Sequence, residues 1–319
     1  MSKHKTPKPK VRKRRGDAKH VKIARPLKND GTWGCPDLLR PYIFALGMLN
    51  QDVHLSEYFS GAKVVGRHLE ELLLMHCMTF EIEDHPSQNM VSPLGFLLAL
   101  KLALCHNWSA MSWSGIVCAS WGFPARSTSG RTKYRPWGWE GRKAVRDGNV
   151  MVHRMYLLWL VMVQRAVHLM CEQPGATTMF STPLGRAIRT FFKLVWAWVV
   201  MGAYGHRSPK PSRIMSNMKY IRHLSVPCTW TTGDGGERLC DKWWGSIECR
   251  WRCAGNSKMK SPQQYPERFG AKVAELYQQH KGDMPFVPSL REVNQFVAAQ
   301  DWSRARLCEI DEYLARRAR

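Results

Sequence analysis

Long uninterrupted apolar runs are missing from this sequence. The apolar stretches are broken by Lys101, by Gln164-Arg165 and by Lys193, and none reaches the roughly 18 clean residues of a membrane span. The basic N-terminus leads into no apolar segment, so no secretory signal is expected. Acids are scarce: 25 Asp and Glu stand against 48 Lys and Arg, a formal net charge of +23. What is present suits a folded domain, because a 44% apolar content with 11% aromatics excludes a wholly disordered chain. Ten cysteines occur, scattered through apolar contexts such as Leu104-Cys105 and Val117-Cys118. In a chain of 319 residues that pattern predicts reduced core thiols rather than a disulfide framework. The expectation is a soluble intracellular protein with no membrane partner.

The charge is uneven. Residues 1–28 hold twelve Lys and Arg against one acid, Asp17, a net +11. They include Pro7 and Pro9 and no aromatic residue, too little apolar surface to offset the entropy of ordering. Residues 1–30 are therefore expected to be a disordered basic arm. Its centre, Lys10-Val-Arg12-Lys13-Arg14-Arg15, has the composition of a nuclear-localisation or phosphate-binding patch. A solvated tail that only aids solubility has the same composition.

From residue 31 short apolar runs alternate with amphipathic ones. Val53–Phe59, Met78–Ile82, Trp113–Ala119 and Val167–Cys171 read as strands. Val64–Met75, Phe96–Leu104 and Val145–Val163 read as helices. Such alternation predicts an α/β fold with a mostly parallel sheet, in which ligands bind outside the carboxyl ends of the strands. The chemistry-bearing residues fall at those ends: Phe59-Ser60-Gly61, Glu81, Cys118 and Glu172. Gly61 and Glu81 have the spacing of a nucleotide-cradling turn and the acid that binds a ribose. A structural glycine turn and a strand-end acid would share that spacing.

Further motifs carry a resemblance. They are Gly115-Ile-Val-Cys118-Ala-Ser120, Cys171-Glu172-Gln173-Pro174, Ser92-Pro93-Leu-Gly95-Phe96 and Ser129-Gly130-Arg131 with Pro136 and Gly138. Gly148-Asn149, Gly202-Ala-Tyr-Gly205 before Lys210-Pro211, and Tyr265-Pro-Glu-Arg-Phe269-Gly270 complete the set. Together they resemble the cytosine-5 DNA methyltransferase class of S-adenosylmethionine-dependent enzymes, and more closely a divergent algal-type group within it, over roughly residues 53–278. The resemblance implies a Rossmann-like methyltransferase sheet, mostly parallel with a terminal antiparallel pair from Val195–Met201 and Arg213–Ser216. It implies S-adenosylmethionine at Phe59, Ser60, Gly61 and Glu81, and a domain spanning residues 31–280. It also implies Cys118 as a thiol nucleophile toward a nucleic-acid base, with Glu172 as the base-activating acid. Arg126 and Arg131 follow the thiol as candidates for lowering its pKa and for phosphate contact, beside Lys10, Arg12, Lys13, Arg14 and Arg15 in the arm. An inert core thiol and an arginine-paired acid are the plainer roles for Cys118 and Glu172.

The sequence departs from the class pattern at named places. Lys63 stands where a second glycine is usual, Val117 where a proline precedes the nucleophile, and Asn89 where an acid precedes the Ser92-Pro93 helix start. No QxRxR-type segment is present. A catalytically decayed methyltransferase fold that binds nucleic acid or acts as a scaffold is the alternative these changes open. Cys240, Cys249 and Cys253, with Cys228 upstream, contain one ligand-like spacing but no second close pair, so no metal is assigned. Trp137, Trp139, Trp243 and Trp244 could stack on bases or fill a core. Residues 281–319 read as a C-terminal helical hairpin, with a Ser289-Leu-Arg-Glu292 capping box and a basic amphipathic helix over 301–319.

Overall fold

The computed structural model describes residues 35–43, 46, 52–122, 125–206, 210–226 and 264–319, with the backbone of two further strands at 240–244 and 249–253. Lys10, Arg12, Lys13, Arg14 and Arg15 lie outside the described residues, as do Cys228 and the side chains of Cys240, Trp243, Trp244, Cys249 and Cys253.

Six strands form one mixed sheet: β1 (Val53–Tyr58), β2 (Cys77–Phe80), β3 (His106–Ser114), β4 (His168–Pro174), β5 (Val195–Val200) and β6 (Pro211–Ser216). Their order is β2-β1-β3-β4-β6-β5. The pairs among β1 to β4 are parallel, and β6 runs antiparallel to both β4 and β5. The expected α/β class, mostly parallel with a terminal antiparallel pair, is thus present. β7 (Cys240–Trp244) and β8 (Cys249–Cys253) form a separate antiparallel pair.

The helices are α1 (Arg40–Ile43), α2 (Val64–Leu73), α3 (Pro93–Leu104), α4 (Arg126–Ser129), α5 (Lys143–Val163), α6 (Pro183–Phe191), α7 (Glu267–His280), α8 (Leu290–Ala298) and α9 (Leu307–Arg317). Strand alternation sends side chains to opposite faces, and each face has its own core. Leu169 and Cys171 of β4 join Phe96, Leu100, Met155, Leu158 and Ile188 on one side. Met170 joins Leu55, Trp113, Val65, Leu69, Phe269 and Val273 on the other. α3 and α6 start by the same local device. Ser92 and Thr182 accept from the backbone N–H of Gly95 and Gly185, at 3.0 and 2.9 Å, with proline at the first helical position, as caps of this kind require.

α5 is buried throughout Val152–Val163, which explains its apolar run without a bilayer. Among the described residues no helix is long and apolar enough to cross a membrane. The C-terminal segment shares the core of the sheet domain, because Val293, Val297, Ala305 and Ile310 pack with α3 and α5. Arg154 ties it down: its Nε donates to Ala305 O at 2.9 Å, and its Nη1 to the carbonyls of Met90, Val91 and Ser92. Gly34–Arg319 is one compact unit, and the Ser289–Glu292 capping box forms as expected.

Element bounds differ from the sequence expectation by a few residues, most notably at three places. The strand expected at Trp113–Ala119 runs from His106 to Ser114. Ser112 and Ser114 are buried and hydrogen-bonded, the first with Ser56 and the second with Met170 O. Gly115–Ala119 lies beyond the strand, so Cys118 sits on a loop. β4 extends to Pro174 through its pairing with β6, which puts Glu172 inside a strand. The helix expected over 301–319 starts only at Leu307, because Arg306 takes a left-handed conformation after a 3-10 turn at Ser303–Ala305.

Candidate functional site

The loop after β1 and the end of β2 meet at the carboxyl edge of the sheet. Phe59, Gly61 and Lys63 all have positive φ, at 57°, 49° and 55°, so the turn reverses sharply over five residues. Glycine adopts this region freely, whereas Phe59 and Lys63 do so under strain. The Gly61 N–H donates to Glu81 Oε2 at 3.0 Å, and the Glu83 N–H donates to Glu81 Oε1 at 3.2 Å. Gly61 and Glu81, paired in sequence by spacing alone, are therefore in contact. Ser60 Oγ is buried there without a hydrogen-bond partner. No atom lies within 4 Å of the place a Gly61 Cβ would take, which leaves the turn open on that side. Lys63 Nζ reaches Asp84 Oδ2 at 2.7 Å.

Beneath this turn lies Glu57, 1% exposed. Its Oε2 accepts from the Gly66 N–H at 2.7 Å, while Oε1 is buried without a partner. A Cβ at Gly66 would come within 2.6 Å of that carboxylate, so only glycine permits the approach. Burial pushes the Glu57 pKa up to about 8, against the Gly66 hydrogen bond and the charge of Lys63.

A second cluster gathers at the ends of β3 and β4. Glu172 is 7% exposed; its Oε2 accepts from the Tyr265 hydroxyl at 3.2 Å and its Oε1 is buried without a partner. Burial raises its pKa, and Lys210 and the hydroxyls of Ser212 and Tyr265 offset part of that rise. Cys118 is exposed as a residue, but protein around its sulfur desolvates the thiol and raises its pKa. The Glu172 charge raises it further, and Lys210 opposes both. The Lys210 pKa is lowered by burial and held up by Glu172 and Cys118. The charges of Cys118, Glu172 and Lys210 thus act on one another. Tyr265 is seated edge-on against Trp113, with ring centroids 5.6 Å apart, and its hydroxyl lies under Gly115.

One of the two expected cations is placed differently. Arg131 is 0% exposed and cannot contact a phosphate. Its guanidinium donates to Pro136 O, Asn149 Oδ1, Ser120 Oγ and Val145 O, all within 3.0 Å. It also lies 3.4 Å over the Trp121 ring. Motifs that carry the resemblance, Ser129-Gly130-Arg131, Pro136, Gly138 and Gly148-Asn149, pack around this guanidinium and brace the loop after Cys118. Arg126 is exposed and donates to Ala176 O at 3.4 Å. Among the described residues, Lys210 is the cation whose charge acts on Cys118.

Lys210, Tyr265 and Glu57 are the site residues that sequence reasoning missed. Lys210-Pro211 and Tyr265-Pro266 stand in the sequence only as marks of resemblance, and nothing local ties them to strands 40 to 150 residues earlier. Among the described residues no three His, Cys, Asp or Glu are grouped to hold a metal. Comparison with family models, with curated proteins and with solved structures returns no match.

Proposed function

We propose that the chain is a methyltransferase-like protein that takes S-adenosylmethionine at Phe59, Ser60, Gly61 and Glu81 and presents Cys118 and Glu172 to a nucleic-acid base. The observation that carries this reading is the sheet order β2-β1-β3-β4-β6-β5 with β6 alone reversed. It agrees with the Rossmann-like methyltransferase sheet that the resemblance implies. The turn also suits the cofactor. Ser60 Oγ is an unspent buried polar atom, Gly61 is unobstructed, and the Glu81 carboxylate is held at the turn by two backbone N–H groups.

When bound, S-adenosylmethionine supplies an electrophilic methyl group. The chain's own residues do the rest. Glu172, held toward its protonated form by burial, donates a proton to ring nitrogen 3 of a cytosine-like base. That makes carbon 6 electrophilic toward the Cys118 sulfur, and Lys210 favours the thiolate that attacks. Tyr265 holds the Glu172 carboxyl in place. Nuclear location remains tied to residues 10–15 and to this reading.

A second reading has its own observation. Lys63 takes a strained left-handed conformation and bridges to Asp84 across the turn, and the Cys118 pKa is raised rather than lowered. Both suit a decayed methyltransferase fold that binds nucleic acid without chemistry.

Calorimetric titration of the full chain with S-adenosylmethionine tests the proposal. Binding is expected, and Glu81→Ala is expected to weaken it about tenfold or more, since charge-assisted hydrogen bonds contribute about 1.5–3 kcal/mol each. Lys63→Gly is expected to leave the affinity within about threefold. No binding to the wild-type chain, appearing only after Lys63→Gly, would establish the second reading.

A further inference from the structure

Carboxylates are missing from two long stretches of the chain. His85–Trp139 contains no Asp or Glu, and Gln173–Gly233 contains none while carrying eight Lys and Arg. The fold brings parts of these stretches together just beyond the end of β4.

Arg126, Tyr134, Arg135 and Trp139 line an open cleft of about 470 Å³. Tyr134 is 93% exposed and Trp139 42% exposed. Arg126 reaches out of the cleft to Ala176 O. Gly175, the preceding residue, packs under the indole of Trp198, which is 49% exposed. The Arg213 guanidinium then lies 5.4 Å from both the Trp198 and Trp196 rings, and Arg189 lies 5.2 Å from Trp196. Aromatic rings and guanidinium groups thus follow one another from the loop after Cys118, past the end of β4 that carries Glu172, to the edge strand β5. Glu140, next to Trp139, is engaged by Arg304 at 2.8 Å.

We propose that this row is a track for single-stranded nucleic acid. Guanidinium groups in a stretch free of carboxylates suit phosphates. Exposed rings suit unstacked bases, whose faces a duplex keeps inside its own stack. The proposal rests on the reading of Cys118 and Glu172 as a base-directed site and names the form of the partner. A single strand delivers a base to that site without first unpairing a duplex.

The test uses the full-length protein at one fixed salt concentration. Fluorescence anisotropy compares a labelled thymidine 20-mer, an abasic deoxyribose-phosphate 20-mer and a 20-base-pair duplex. The two single strands carry equal charge, so the contribution of basic residues 1–28 cancels in their ratio. The thymidine strand is expected to bind about tenfold tighter than the abasic strand, and tighter than the duplex. Trp198→Ala and Tyr134→Ala are each expected to cut that ratio about fivefold. If Trp198→Ala fails to fold, the highly exposed Tyr134 carries the test alone. Equal affinity for the two strands, a preference for duplex, or a ratio unmoved by the folded variants overturns the track. Titration with S-adenosylmethionine on the same samples separates the failures. A lost ratio with cofactor binding intact removes the track only, and an intact ratio without cofactor binding removes the site reading only.

Discussion

Arg131→Met is expected to destabilise the protein by about 2–4 kcal/mol, because several neutral buried groups lose a charged donor. Methionine keeps much of the volume, so the loss is polar. Two carbonyls, Pro136 O and Val145 O, lose a donor, and Ser120 and Asn149 lose the partner that orients them. Buried polar groups left unsatisfied cost about 1–3 kcal/mol each. The site already works against the charge, since burial lowers the Arg131 pKa to about 9. Urea denaturation of the variant beside Arg126→Met gives the measurement. Arg126 is exposed, and its replacement is expected to stay within about 0.5 kcal/mol of wild type. A loss below about 1 kcal/mol for Arg131→Met would show that the guanidinium does not brace the Cys118 loop. Proteolysis within residues 115–142 should rise with the same substitution.

Glu57→Gln is expected to change the pH dependence of stability. In the folded protein burial raises the Glu57 pKa to about 8, against about 4.3 in an unfolded chain. Between those values the folded state binds more protons than the unfolded state, so this group makes stability fall as pH rises. The slope is about 1.4 kcal/mol per pH unit, or about 2 kcal/mol between about pH 6.5 and 8. Glu172, also raised by burial, contributes a slope of the same sign. The buried His106, His153 and His168 have pKa values lowered to about 4. Their slope has the opposite sign and ends near pH 6.5. Above that pH the histidines no longer oppose the carboxyls. Glutamine keeps an oxygen for the Gly66 N–H and carries no charge, so the variant should gain on wild type steadily from pH 6.5 to 8. Parallel stability profiles would show that Glu57 is ionised throughout.

The architecture was largely legible because it follows from periodicity. Apolar spacing located α2, α3 and α5, and the Ser289–Glu292 pattern located the start of α8. The end of β3 was hidden by serines that are buried yet satisfied by hydrogen bonds. Glu81 beside Gly61 followed from a local spacing, since strands β1 and β2 are sequence neighbours. Lys210 and Tyr265 were not legible, because their place beside Glu172 depends on the reversal of β6 and on the docking of α7. Arg131 was misread for a related reason. A cation one loop after a thiol looks like a phosphate ligand until Ser120, Pro136, Val145 and Asn149 are seen to consume its donors.

Cys118 is proposed to act on a base beside bound cofactor. The direct measurement is covalent trapping with a 5-fluorocytosine oligonucleotide and S-adenosylmethionine, read by peptide mass spectrometry. A pH series suits it, because alkaline pH favours the Cys118 thiolate but takes away the proton that Glu172 is to donate. The account predicts an adduct on the Cys118 peptide that Cys118→Ser abolishes, with cofactor affinity kept within about threefold because the thiol belongs to the chemical step. A chain that binds S-adenosylmethionine yet forms no adduct at Cys118, on single strand or duplex, would contradict it.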